Sequence, residues 1–88
     1  MDFDRHLSRA VRTSGHKLPH EAKTLGEALD MIDEHLPSFV RSRAHWHRAR
    51  NQIIDAAETG SQADVYEATS QLVAALEAEG WLDNGTVR

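Results

Sequence analysis

The chain has 88 residues, 40% of them apolar and 27% charged, with five aromatic side chains and no cysteine. That length accommodates one thin hydrophobic core, which excludes a hinged two-domain active site, and the apolar fraction excludes a disordered chain. The missing thiols exclude a disulfide framework and a thiolate zinc site.

The net charge of -4 is unevenly distributed. Residues 1–40 carry seven acids and five bases, residues 41–50 four arginines and no acid, and residues 51–88 seven acids and one arginine. One basic decade therefore lies between two acidic segments. The longest apolar run, Leu72 to Leu76, falls far short of the roughly twenty residues that span a bilayer. Asp2, Asp4 and Arg5 stand where a secretory leader would be basic and then apolar. The expectation is a single cytoplasmic domain, ordered over about residues 7–82, with no membrane contact.

In chain order, the amino-terminal stretch admits two readings. Phe3, Leu7, Ala10 and Val11 fit a short amphipathic helix ended by Gly15, whereas Leu7, Arg9, Val11 and Thr13 alternate as a strand would. In the second reading Ser14-Gly15 turns the chain into a second strand over residues 17–23, which Pro19 would confine to an edge. Thr24-Leu25-Gly26-Glu27 has the form of a capping box. It opens a first helix over residues 24–36, with Leu25, Ala28, Leu29, Ile32 and Leu36 on one face, until Pro37 stops it. A second helix is predicted over residues 39–58, beginning at Phe39 or Ser42, with Trp46, Ala49, Ile53 and Ala57 as its apolar stripe. Thr59-Gly60-Ser61 breaks it, and Ser61 with Asp64 caps a third helix over residues 61–79, striped by Val65, Thr69, Leu72, Val73 and Leu76. Gly80 suits the left-handed residue after that helix, which would fold Trp81 back toward Leu76. Residues 84–88 have nothing to bury and should fray.

Five segments in this order carry a resemblance: Ala10-Val11-Arg12-Thr13, Thr24-Leu25-Gly26-Glu27-Ala28-Leu29, Leu36-Pro37, Ala56-Ala57-Glu58-Thr59-Gly60 and Ala74-Ala75-Leu76-Glu77-Ala78-Glu79-Gly80-Trp81. From residue 10 to residue 82 the chain resembles the domain of unknown function 982 family of rhizobia and related alphaproteobacteria, with Leu36 where that family tends to have tryptophan. The resemblance implies an amino-terminal hairpin followed by helices and supplies no activity. The expected fold class is thus α+β, mainly α, with a short hairpin packed on three helices; an all-α four-helix domain is the alternative.

No constellation points to catalysis. Asp30 and Glu34 share a helix face at i, i+4, but that face is opposite the apolar stripe, where neither carboxylate would be desolvated into a general acid. There is no Gly-x-Ser-x-Gly elbow and no glycine-rich phosphate loop. Of the six histidines, His45 and His47 lie two apart on a helix and face opposite ways, and His16 and His20 flank Pro19. Neither pair is placed to share a metal, so no metal and no cofactor is expected.

The distinctive stretch is Arg41-Ser42-Arg43-Ala44-His45-Trp46-His47-Arg48-Ala49-Arg50. Arginines on a helix reach phosphates and a tryptophan can stack on an unpaired base, which gives the nucleic-acid reading. Trp46 belongs to the apolar stripe, however, and the flanking acids suffice to neutralise the patch within the chain. The reading preferred on these grounds is a small non-catalytic protein-interaction or regulatory module, self-associating or meeting a protein partner through Arg41, Arg43, His45, His47, Arg48 and Arg50. A nucleic-acid binder and an acidic inhibitor of a larger protein are the alternatives.

Overall fold

The structure is a computed structural model that describes residues 1–14 and 18–83. Strands β1 (His6–Arg12) and β2 (Glu21–Thr24) pair antiparallel and precede α1 (Leu25–His35), α2 (Ser38–Arg41), α3 (Ala44–Thr59) and α4 (Gln62–Glu79). The α+β, mainly α architecture is the expected one. The four-helix alternative is excluded, because residues 6–12 are strand.

The ambiguity of that segment has a physical origin. His6 faces Thr24 and Val11 faces Ala22, so β1 has four residues between these pairs where β2 has one. Alternation alone would turn Arg9 inward with Leu7 and Val11, but in this bulged stretch Arg9 is exposed, and the inward residues of β1 are Leu7 and Val11, four apart, a spacing that a helix face shares. The second strand starts at Glu21 rather than at residue 17, so Pro19 precedes it. The expected turn at Gly15 and the fraying of residues 84–88 lie outside the described residues.

The outer edge of β1 is covered along its length. The Ser8 amide donates to Thr69 Oγ1 on α4 at 3.0 Å, while that hydroxyl donates to the Val65 carbonyl at 2.9 Å. Thr69 is buried and both its bonding capacities are used. Further along, Thr13 pairs with Leu82, Ser14 N–H donates to the Trp81 carbonyl at 2.8 Å, and Asp83 N–H donates to the Arg12 carbonyl at 3.0 Å.

The capping residues act as their chemistry demands. Thr24 Oγ1 accepts from Glu27 N–H at 3.1 Å, and Ser61 Oγ accepts from Asp64 N–H at 3.2 Å. Glu27 Oε1 reaches one residue past the N-cap, accepting from Lys23 N–H at 2.7 Å, and so caps an outward amide of β2. Gly80 takes the left-handed conformation at φ 76°, which allows Trp81 N–H to bond the Leu76 carbonyl at 2.8 Å and Gly80 N–H to bond that of Glu77. At Gly26 a side chain is excluded for another reason: an added Cβ would lie 3.0 Å from the Phe3 carbonyl oxygen, which accepts the Gly26 amide.

The predicted second helix is two helices. Ser42 Oγ donates to the Phe39 carbonyl, Arg43 N–H donates to the Val40 carbonyl, and Arg43 then turns extended at ψ 144° to become the N-cap of α3. The described residues therefore form four helices, not three. The core is built from Leu7, Val11, Leu25, Met31, Ile32, Trp46, Ile53, Leu72 and Leu76. Ala49, Ala56 and Ala57 on α3 and Ala68 and Ala75 on α4 are also buried, and their small side chains let the two helices pack closely.

Candidate functional site

The basic decade does not form one patch. Its break at Ser42-Arg43 separates the arginines and sends them to different partners.

Arg43, the N-cap of α3, donates from Nη1 to both carboxylate oxygens of Glu79 at 2.5 and 2.6 Å. His45 Nε2 lies 3.0 Å from Glu79 Oε2, and Trp46 Nε1 donates to the same oxygen at 3.0 Å. The Trp46 ring is wholly buried and tilts against Trp81, with centroids 6.4 Å apart. A buried indole N–H needs an acceptor, and Glu79, with its side chain 8% exposed, supplies it. Burial pushes the Glu79 pKa up, but hydrogen bonds from Arg43, His45 and Trp46, with the Arg43 charge, outweigh it and hold the carboxyl below the usual glutamate value. Glu79 is the last residue of α4, where the helix dipole disfavours an acid; the cationic groups at the start of α3 reverse that balance.

Arg50 and Arg41 converge on Asp33 of α1. Arg50 Nε and Nη2 donate to its two carboxylate oxygens at 2.9 and 3.3 Å, and Arg41 Nη1 donates to its backbone carbonyl at 3.0 Å. The hydrogen bond and the charge of Asp33 raise the Arg50 pKa, against a smaller lowering by burial.

His47 and Arg48 remain exposed, without an ion-pair partner among the described residues. His47 joins Ile32, Asp33, Ser38, Arg41, Ser42 and Arg50 in lining an open groove between α1, α2 and α3. Beside it Phe39, flanked on α2 by the groove residues Ser38 and Arg41, is 69% exposed.

The six residues expected to act together thus divide into a clasp on the buried Glu79 carboxylate (Arg43, His45), a groove wall (Arg41, His47, Arg50) and a free cation (Arg48). Sequence reasoning missed Glu79, Asp33 and Phe39. For Glu79 the signal was available, since an acid at a helix carboxyl terminus needs a cation to justify it. Trp46 was correctly expected to face inward. Asp30 and Glu34 are exposed on α1, and among the described residues no three His, Asp or Glu side chains converge as a metal site would require. No described helix is long and apolar enough to cross a membrane. No family profile matches this chain, and no curated protein or solved structure shows significant similarity to it.

Proposed function

We propose that the protein is a non-catalytic, cytoplasmic interaction module that pairs with a second copy of itself through α2 and the adjoining groove. The observation that carries this reading is Phe39, an aromatic side chain 69% exposed on a four-residue helix, beside a groove with an apolar floor at Ile32 and polar walls. An exposed aromatic anchor within a polar rim is the arrangement of an interface hot spot. The two helices that supply groove residues also expose Asp30 and Glu34 on α1 and the free cation Arg48 on α3, opposite charges that two copies could exchange. Such self-complementarity is what a two-fold contact requires.

Nucleic acid fits this face less well. Arg43 and Arg50 are paired with carboxylates and Arg41 with a carbonyl, which leaves Arg48 as the one uncommitted arginine of the decade among the described residues. One uncommitted arginine on this segment, in a chain of net charge -4, makes a poor phosphate rail. Kinship with the domain of unknown function 982 family is proposed on motif order alone and brings no activity with it.

Sedimentation velocity across a wide concentration range tests the reading. A concentration-dependent dimer is expected, converted to monomer by Phe39→Glu and weakened in a salt-dependent way by Arg48→Glu. A parent protein that stays monomeric at millimolar concentration, or one that binds duplex or single-stranded oligonucleotides with a steep salt slope lost on Arg48→Ala, would defeat it.

A further inference from the structure

A second surface lies on β1 and α4 and shares no residue with the α2–α3 face. Where Ser8 bonds to Thr69, two hollows open to solvent: one is lined by Arg5, His6, Gln62 and Val65, the other by Arg9, Thr69, Val73, Ala74 and Glu77. Ser8 and Tyr66 line both, so the hollows adjoin as the two parts of a trough. From Gln62 to Glu77 it follows α4 for about 22 Å at the helical rise, the length of about seven extended residues.

The two walls differ in chemistry. The β1 wall carries Arg5, His6 and Arg9, none in an ion pair among the described residues. The α4 wall carries Tyr66, 64% exposed at the junction, then the apolar Val73 and Ala74, with Glu77 as its acid at the far end. Arginine and tyrosine are the residue types on which protein interfaces concentrate their binding energy.

We infer that this trough binds an extended acidic segment of a different protein, with carboxylates on Arg5 and Arg9 and an apolar side chain between them on Tyr66. Arg5, just before β1, lines one hollow, and Arg9, within the bulged stretch of β1, lines the other. An extended segment can follow the roughly 22 Å of the trough and set a carboxylate against each, whereas carboxylates one turn apart on a helix stand only about 6 Å from each other. Exposed acids of this chain such as Asp30, Glu34, Asp55, Glu58 and Glu67 stand on helices, and Asp2 and Asp4 stand in the turn before β1 that the Asp2 amide ties to the Ala57 carbonyl, so none of these is offered on an extended segment, which disfavours a second copy as the occupant. A nucleic acid is disfavoured by Glu77 at one end of the trough and by the net charge of -4.

The experiment is an amide-spectrum titration of the isotope-labelled full chain with three probes: a short synthetic peptide of alternating glutamate and leucine, its lysine and leucine counterpart, and oligothymidine of matching length. The acidic peptide is expected to shift the amides of residues 5–9 and 62–77, and the other two to leave them in place. Arg5→Glu combined with Arg9→Glu, and separately Tyr66→Ala, should each weaken the acidic peptide by roughly tenfold or more while leaving the melting temperature near the parent's. Phe39→Glu should bind the peptide as the parent does, which separates this inference from the self-association reading. Absence of shifts with the acidic peptide, shifts confined to another surface, or equal response to oligothymidine or to the lysine peptide would each overturn it.

Discussion

Arg43–Glu79 and Arg50–Asp33 are two ion pairs drawn from one decade of sequence, with arginines of nearly equal exposure, 44% and 43% of the side chain. They differ in the carboxylate. Glu79 is 8% exposed and also serves His45 and the buried Trp46 indole, whereas Asp33 is 33% exposed and serves arginines that water can reach. The worth of an ion pair is set by its more buried member and by how many donors depend on that member, rather than by the cation. The first pair ties the end of α4 to the start of α3; the second borders the groove, on a carboxylate that water can reach.

Removing the buried carboxylate is the severest break of this contrast. Glu79→Ala should destabilise the domain by about 2–3 kcal/mol, because the Trp46 N–H loses its acceptor in a dry site. Chemical denaturation measures it, and a loss below about 1 kcal/mol would put Glu79 in the same class as Asp33.

Acid sharpens the same point. The folded pKa of Glu79 is depressed, so its contribution is complete above the ordinary glutamate value of 4.5 and is lost as pH falls through the lower folded value. Melting curves recorded from neutral pH downward should therefore show stability falling below about pH 4.5, and that acid-dependent loss should be smaller in Glu79→Gln than in the parent. Equal slopes in the two proteins would show that other carboxylates dominate.

Thr24→Ala provides a ruler between the pairs, with an expected loss of about 1 kcal/mol from the N-cap of α1. The smallest effect is expected at Arg50→Ala, below about 1 kcal/mol and diminishing with added salt, since Asp33 is left hydrated. If Arg50→Ala cost more than Thr24→Ala, the groove pair would be structural and the comparison would collapse.

Much of the fold was legible because capping is local chemistry. Thr24 and Ser61 each require an amide three residues on, and Gly80 requires only its own freedom to turn left-handed, so neighbours in sequence suffice to place three helix ends. The hairpin was half legible, because Leu7 and Val11, four apart, fit one face of a helix and one face of a strand alike. The break at Ser42-Arg43 was not legible, since nothing local forbids a continuous helix there. What accompanies the break is the reach of the Arg43 side chain to Glu79, thirty-six residues away. The division of the candidate site was hidden for the same reason: a run of arginines reads as one patch until the fold brings Arg41 and Arg50 to Asp33 on α1 and Arg43 to Glu79 on α4.

The pairing of Thr13 with Leu82 joins residues sixty-nine apart in sequence, and it has a consequence for how the molecule is made. On the ribosome β1 emerges before the helices described above, yet Thr69 on α4 and residues 81–83, which engage its outer edge, follow only with or after the last of them. Until then the nascent strand carries an open hydrogen-bonding edge, and its closure is a late, long-range step that sets β1 apart from the locally capped helices.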